Sequence, residues 1–134
     1  MVVLLCCVAM LVQVMPAGAG KFRRPALTID DLAGRTLECT WETGPRKGVS
    51  QLIHVLGHAN IKIATVKDEH LVPSIKMPVK TQQAGRKIIL LSWRNPKTGV
   101  VSVLTLNFRT HKVFHTTVGQ DVTFVSQGNF LIHQ

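Results

Sequence analysis

Residues 36–43 read Thr-Leu-Glu-Cys-Thr-Trp-Glu-Thr, and no other stretch constrains the fold so tightly. Leu37, Cys39 and Trp41 alternate with Thr36, Glu38, Thr40 and Glu42. Side chains of an extended strand point alternately to opposite faces, so a period of two gives one apolar face and one wet face. The apolar face has to be covered by further elements, and the downstream chain reads as more strands. Residues 49–56 and 61–66 are rich in β-branched side chains and are joined across Gly57, His58, Ala59 and Asn60. Residues 87–93, 101–109, 113–118 and 122–132 continue the pattern. Turn residues punctuate them. In Asn95-Pro96-Lys97-Thr98-Gly99, Pro opens a turn and Gly takes a positive φ. Thr110-His111-Lys112 and Gly119-Gln120-Asp121 are tight turns, and Gly128 suggests a bulge in the last strand.

Residues 68–85 contain Pro73, Pro78 and the polar run Thr81-Gln82-Gln83. Proline removes a ladder donor, so this segment reads as a long connection with at most one short edge strand. Residues 28–34 read as one helical turn. Thr28 caps it, Asp30 and Asp31 favour its positive end, and Gly34 stops it. The expected fold is all-β, an antiparallel meander of seven or eight strands forming a small barrel, with a β-sandwich as the alternative. A closed barrel leaves no sheet edge exposed, which favours it.

The amino-terminal segment predicts the destination of the protein. Residues 1–19, MVVLLCCVAMLVQVMPAGA, carry no charge. Their apolar run is short of the ~20 residues that a membrane span needs. Pro16 breaks it, and Ala17-Gly18-Ala19 has the small-x-small form of a signal-peptidase site. The expectation is a signal peptide cleaved near Ala19, with export to a periplasm or the exterior and no stable membrane span. Residues 20–34 then form a basic leader and the helical turn, and 35–134 a single β domain. Cys6 and Cys7 leave with the signal peptide, so Cys39 is alone. It is either buried or paired with another chain, and its alternation with Leu37 and Trp41 points inward.

The formal charge of +9 is unevenly spread. Between His70 and Gln120 lie Lys76, Lys80, Arg86, Lys87, Arg94, Lys97, Arg109 and Lys112, with no Asp or Glu. These eight are the candidates for contact with an anionic surface or glycan. An intracellular nucleic-acid partner is not expected. The chain has no Tyr, and Trp93 beside Arg94 is the single candidate for an exposed stacking pair.

Two His-x-x-x-His spacings, at 54–58 and 111–115, invite a metal reading. A helix would stack such a pair on one face, yet both stretches read as strand and turn. Four residues of extended strand span about 13 Å. Two nitrogens bound to one zinc at roughly 2 Å cannot be so far apart. No metal and no cofactor are expected. His54 and His115, one from each stretch, could meet across strands as an acid–base pair. Serines at 50, 74, 92, 102 and 126 lie in no nucleophile-elbow sequence.

A short helical turn, Gly34, a strand carrying Trp41 and then a meander resemble in layout the calycin group, which includes the lipocalins. The lipocalin Gly-x-Trp signature is absent, since Trp41 lies seven positions after Gly34. The resemblance implies a small barrel that holds an apolar or amphipathic ligand. The lining candidates are Leu37, Trp41, Leu104, Leu106, Phe108 and Phe124, which are equally the residues of a filled core. Three functional classes remain: a non-catalytic binder of such a ligand or of an anionic surface, a secreted hydrolase of a polyanion using His54 and His115, and a structural or host-interaction protein without a pocket.

Overall fold

The computed structural model describes residues 26–67 and 70–134. The signal peptide expected over residues 1–19, and most of the basic leader, lie outside the described residues. A 3-10 turn, Ile29–Leu32, leads into nine strands: β1 (Thr36–Trp41), β2 (Ser50–Val55), β3 (Asn60–Lys67), β4 (His70–Pro78), β5 (Lys80–Gly85), β6 (Ile88–Arg94), β7 (Val101–Asn107), β8 (Lys112–Val118) and β9 (Thr123–His133). They form one antiparallel sheet in the order β4-β3-β2-β1-β9-β8-β7-β6-β5, curled into a half-barrel. The expected all-β meander is present. Among the described residues no helix is long and apolar enough to cross a membrane.

Two details differ from expectation. The sheet has nine strands rather than seven or eight, because residues 70–85 supply β4 and β5. Pro73 and Pro78 are tolerated because β4 is an edge strand, where a missing donor costs no ladder bond. The pairing of β3 with β4 also slips between Ile63↔Ile75 and Thr65↔Val72, so β4 carries one extra residue around Pro73. A second slip lies in β5 between Gln83 and Gly85, and none lies at Gly128, which stays in regular register with Trp41 and Val113. Gly128 answers a different need. A Cβ there would collide with the Thr40 carbonyl oxygen, so its hydrogen lets β1 and β9 approach.

Secondly, the ring does not close. β4 and β5 follow one another in sequence but are the two free edges of the sheet. The pairing that holds the two halves together is β1 with β9, from Thr36↔His133 to Trp41↔Gly128.

The concave face is the core. Leu37, Cys39, Ile53, Val55, Ile61, Leu91, Leu104, Leu106 and Val113 are fully buried or nearly so. Phe130 packs edge-on against Phe108 at 5.0 Å between ring centres. The 3-10 turn plugs one end, burying Ile29 and Leu32. It is held by Asp31, whose carboxylate accepts the Thr28 N–H at 2.7 Å and the Thr28 hydroxyl at 3.0 Å. Those bonds hold the Asp31 carboxyl below its usual value. Cys39 is buried and unpaired, as alternation predicts, and burial pushes its thiol up to about 12.

The hairpin loops form as their residues dictate. Asn95 Oδ1 accepts from the backbone of Lys97 and Thr98, and Gly99 takes φ +71°. Asn107 Oδ1 does the same for Arg109 and Thr110, leaving His111 at φ +55°.

Candidate functional site

The end of the half-barrel opposite the 3-10 turn is lined differently. Its concave face carries Gln51 from β2, Ser102 from β7, His115 and Thr117 from β8, and Ser126 from β9. Gln51, Ser102, His115 and Ser126 are all buried. A core position is costly for a polar side chain unless its groups are bonded. Only part of this set is. The Trp41 indole N–H donates to Gln51 Oε1 at 3.2 Å, which leaves the Gln51 amide N–H groups without a partner among the described residues.

His115 is the centre of this cluster. Its ring lies 5.7 Å from that of Trp41 and 5.5 Å from that of Trp93, tilted about 41° and 44°. Nε2 reaches Thr117 Oγ1 at 3.4 Å. Nδ1 is fully buried and has no hydrogen-bond partner among the described residues. Desolvation, and then the charge of Arg46, push the imidazole down to about 3. It is therefore neutral at physiological pH. An orphaned buried nitrogen of this kind costs roughly 1–3 kcal/mol. The packing of two tryptophans offsets a cost of that size, since each aromatic pair adds about 0.5–1.5 kcal/mol beyond its area burial.

Gln51, Ser102, His115 and Thr117 form one wall of a cavity of about 270 Å³, which Ser126 and Trp41 do not line. Ile63 and Thr65 of β3 and Val72, Ile75 and Met77 of β4 form the facing wall. The β4 bulge has a direct effect here: both Val72 and Ile75 line the cavity although they lie an odd number of positions apart, with Pro73 and Ser74 between them. Because the sheet does not close, Val72 is 50% exposed and Ile75 60%.

Arg46 completes the lining from the loop between β1 and β2. Gly44 fixes that loop. It takes φ +75° and lies so close to β9 that a Cβ would strike the Val125 carbonyl oxygen. Lys47 N–H bonds Gly44 O at 3.1 Å, and Val49 N–H bonds Arg46 O at 2.9 Å. Arg46 is half-buried, and desolvation lowers its guanidinium below the usual value. Among the described residues its guanidinium has no ion-pair or hydrogen-bond partner. No carboxylate lies among the described residues that line the cavity.

The lining candidates read from the sequence fall in different places. Leu37, Leu104 and Leu106 are solid core, and Trp41 touches the site only through His115 and Gln51. Phe108 lies at the plugged end, in an open depression of about 730 Å³ with Arg35, Lys87 and His111. Phe124 has inward parity but sits at the rim, 45% exposed. Trp93 is not an exposed platform beside Arg94. It is buried and lines the cavity. The sequence alone does not single out Arg46, Gln51 or Ser102.

The histidines do not pair. His54 is on the convex face of β2, bonded through Nδ1 to Thr36 Oγ1 at 3.0 Å, and β1 and β9 separate its strand from that of His115. His58 lies in a turn, 3.7 Å from Asp30. His111 packs on Phe130, and His133 bonds Glu38 at 2.7 Å. Among the described residues no three His, Cys, Asp or Glu side chains are grouped to hold a metal.

Nor do the eight cations form one patch. Arg86, Lys87 and Arg109 lie in turns at the plugged end, while Arg94 and Lys97 lie at the open end. Lys76 and Lys80 are on the edge strands, and Lys112 pairs with Glu42 at 3.2 Å.

No family model and no curated protein matches the chain. Among solved structures it is similar to one described as "a putative beta-lactamase from Burkholderia vietnamiensis", with a TM-score of 0.63. The likeness covers 76% of this chain and 95% of that one at 12% identity, and at that identity it speaks for the fold alone.

Proposed function

We propose that this protein binds a small amphipathic molecule, without transforming it, in the open end of its half-barrel. One observation carries the reading. A polar wall with an unsatisfied buried nitrogen faces an apolar wall whose Val72 and Ile75 are left uncovered. A pocket of mainly apolar surface with a few converging polar groups is the usual form of a small-molecule site. The ligand covers β4 and supplies a partner to the polar wall. This is the function that the calycin-like layout also suggests, although the ring here is open. The uncharged segment 1–19 supports export, and export remains part of the proposal.

Hydrolysis is the weaker reading. Ser126 pairs with His115 across β8 and β9, and the Burkholderia protein is described as "a putative beta-lactamase". Yet an imidazole held near 3 is a poor general base at neutral pH. No carboxylate among the described lining residues orients it.

Native mass spectrometry of protein purified from its source tests the reading. A retained molecule of small mass is expected, and its loss should accompany Ile75→Asn. Turnover of a chromogenic β-lactam that Ser126→Ala abolishes would replace binding by hydrolysis.

A further inference from the structure

We infer that the molecule taken by this cavity is an organic anion, with its charged group held by Arg46 and its apolar body laid against β3 and β4. The inference rests on the binding reading above and specifies its ligand class.

Arg46 is the anchor. A guanidinium presents five donors in a planar fork that matches a carboxylate. Withdrawing it from water without a partner is costly, so half-buried arginines normally carry one. Arg46 has none among the described residues, and Gly44, at positive φ, fixes its loop against β9. It is set in place with its bonding capacity unspent.

The remaining lining agrees in sign. The described lining residues include Gln51, Ser102, His115 and Thr117 but no acid, so nothing there would attract a cation or repel an anion. The Gln51 amide N–H groups and the Ser102 hydroxyl have no partner among the described residues, and both are able to donate to an acceptor oxygen. A neutral imidazole between two tryptophans adds no competing charge. Opposite stand Ile63, Val72, Ile75 and Met77, with Trp93 beside them. A ligand with one charged end and an apolar or aromatic body fits both walls. At about 270 Å³ the cavity takes a body of one or two rings rather than a long chain or a polymer.

The test compares two probes of one shape, 3-phenylpropanoate and its neutral amide, on the full protein. Affinity is read by calorimetry, and the site by the imidazole nitrogen resonances of His115. The anion should bind at least about tenfold tighter than the amide, as expected for a charge-assisted bidentate pair. In Arg46→Gln this preference should fall to about one. Arg46→Lys should retain part of it. An unchanged melting temperature in both variants shows that the fold is intact. Equal binding of both probes to the wild type would overturn the anion inference and leave the binding reading standing. A preference that survives in Arg46→Gln would overturn the role of Arg46. If neither probe binds or shifts His115, both readings fail.

Discussion

The imidazole of His115 lies 5.5 Å from the indole of Trp93, and both line the same cavity. The pair joins core to site. Trp93 is the last inward residue of β6 before the Asn95 turn, and His115 sits across β7 from it. Both residues are buried, and both border the space in which a ligand is proposed.

This burial makes acid sensitivity a property of His115. Above about pH 6.5 the imidazole is neutral in both folded and unfolded chains. Below it the unfolded chain takes up a proton that the folded chain refuses until about pH 3. Stability should therefore fall as pH drops through this window, by on the order of a few kcal/mol. Urea midpoints at pH 7 and pH 4 measure the effect. His115→Gln should lose much less between the two, and an equal loss would contradict the assignment.

Gly128 and Gly34 separate close approach from backbone strain. Gly128→Ala places a methyl group on the Thr40 carbonyl and should cost about 3 kcal/mol by overpacking. Gly34→Ala meets nothing within 4 Å and bears only its φ of +80°, for about 1 kcal/mol. Denaturant titration of the two variants should give that order.

Cys39 should be inert in the folded protein. Its thiol is fully buried and pushed up to about 12, first by burial and then by Glu38. A disulfide reagent at pH 8 should label it only as the domain opens, with a rate that rises with denaturant. Complete labelling within seconds in buffer would place the thiol at the surface.

Ile75 should matter for binding and little for folding. It is 60% exposed on an edge strand, so Ile75→Asn should change stability by no more than about 0.5 kcal/mol. Because Ile75 lines the cavity, the same variant should bind 3-phenylpropanoate several-fold more weakly.

How much of the fold and the site is legible in the sequence depends on the range of the interaction that fixes each part. The alternation at 36–41, the Thr28 cap and the Asn95 turn are local, and each appears as read. The strands β4 and β5 are hidden by Pro73 and Pro78, whose cost vanishes only at a sheet edge. The facing of His54 is hidden because residues 52–56 are apolar at both parities, apart from His54 itself. Arg46 carries no periodic signal at all. Its position depends on Gly44 meeting Val125, a contact between residues far apart in the chain.

The pairing of β1 with β9 also sets the order of assembly. Strands β1 to β4, and β5 to β9, are each joined to their neighbours by short turns, so each group can form from contacts close in sequence. Cys39 and Phe130 can meet only after nearly the whole intervening chain has been gathered. Such long loop closures are slow. Until this one is made, β1 and β9 are both bare edges, and the intermediate with the strongest tendency to aggregate is the one in which the two meanders are complete but not yet joined.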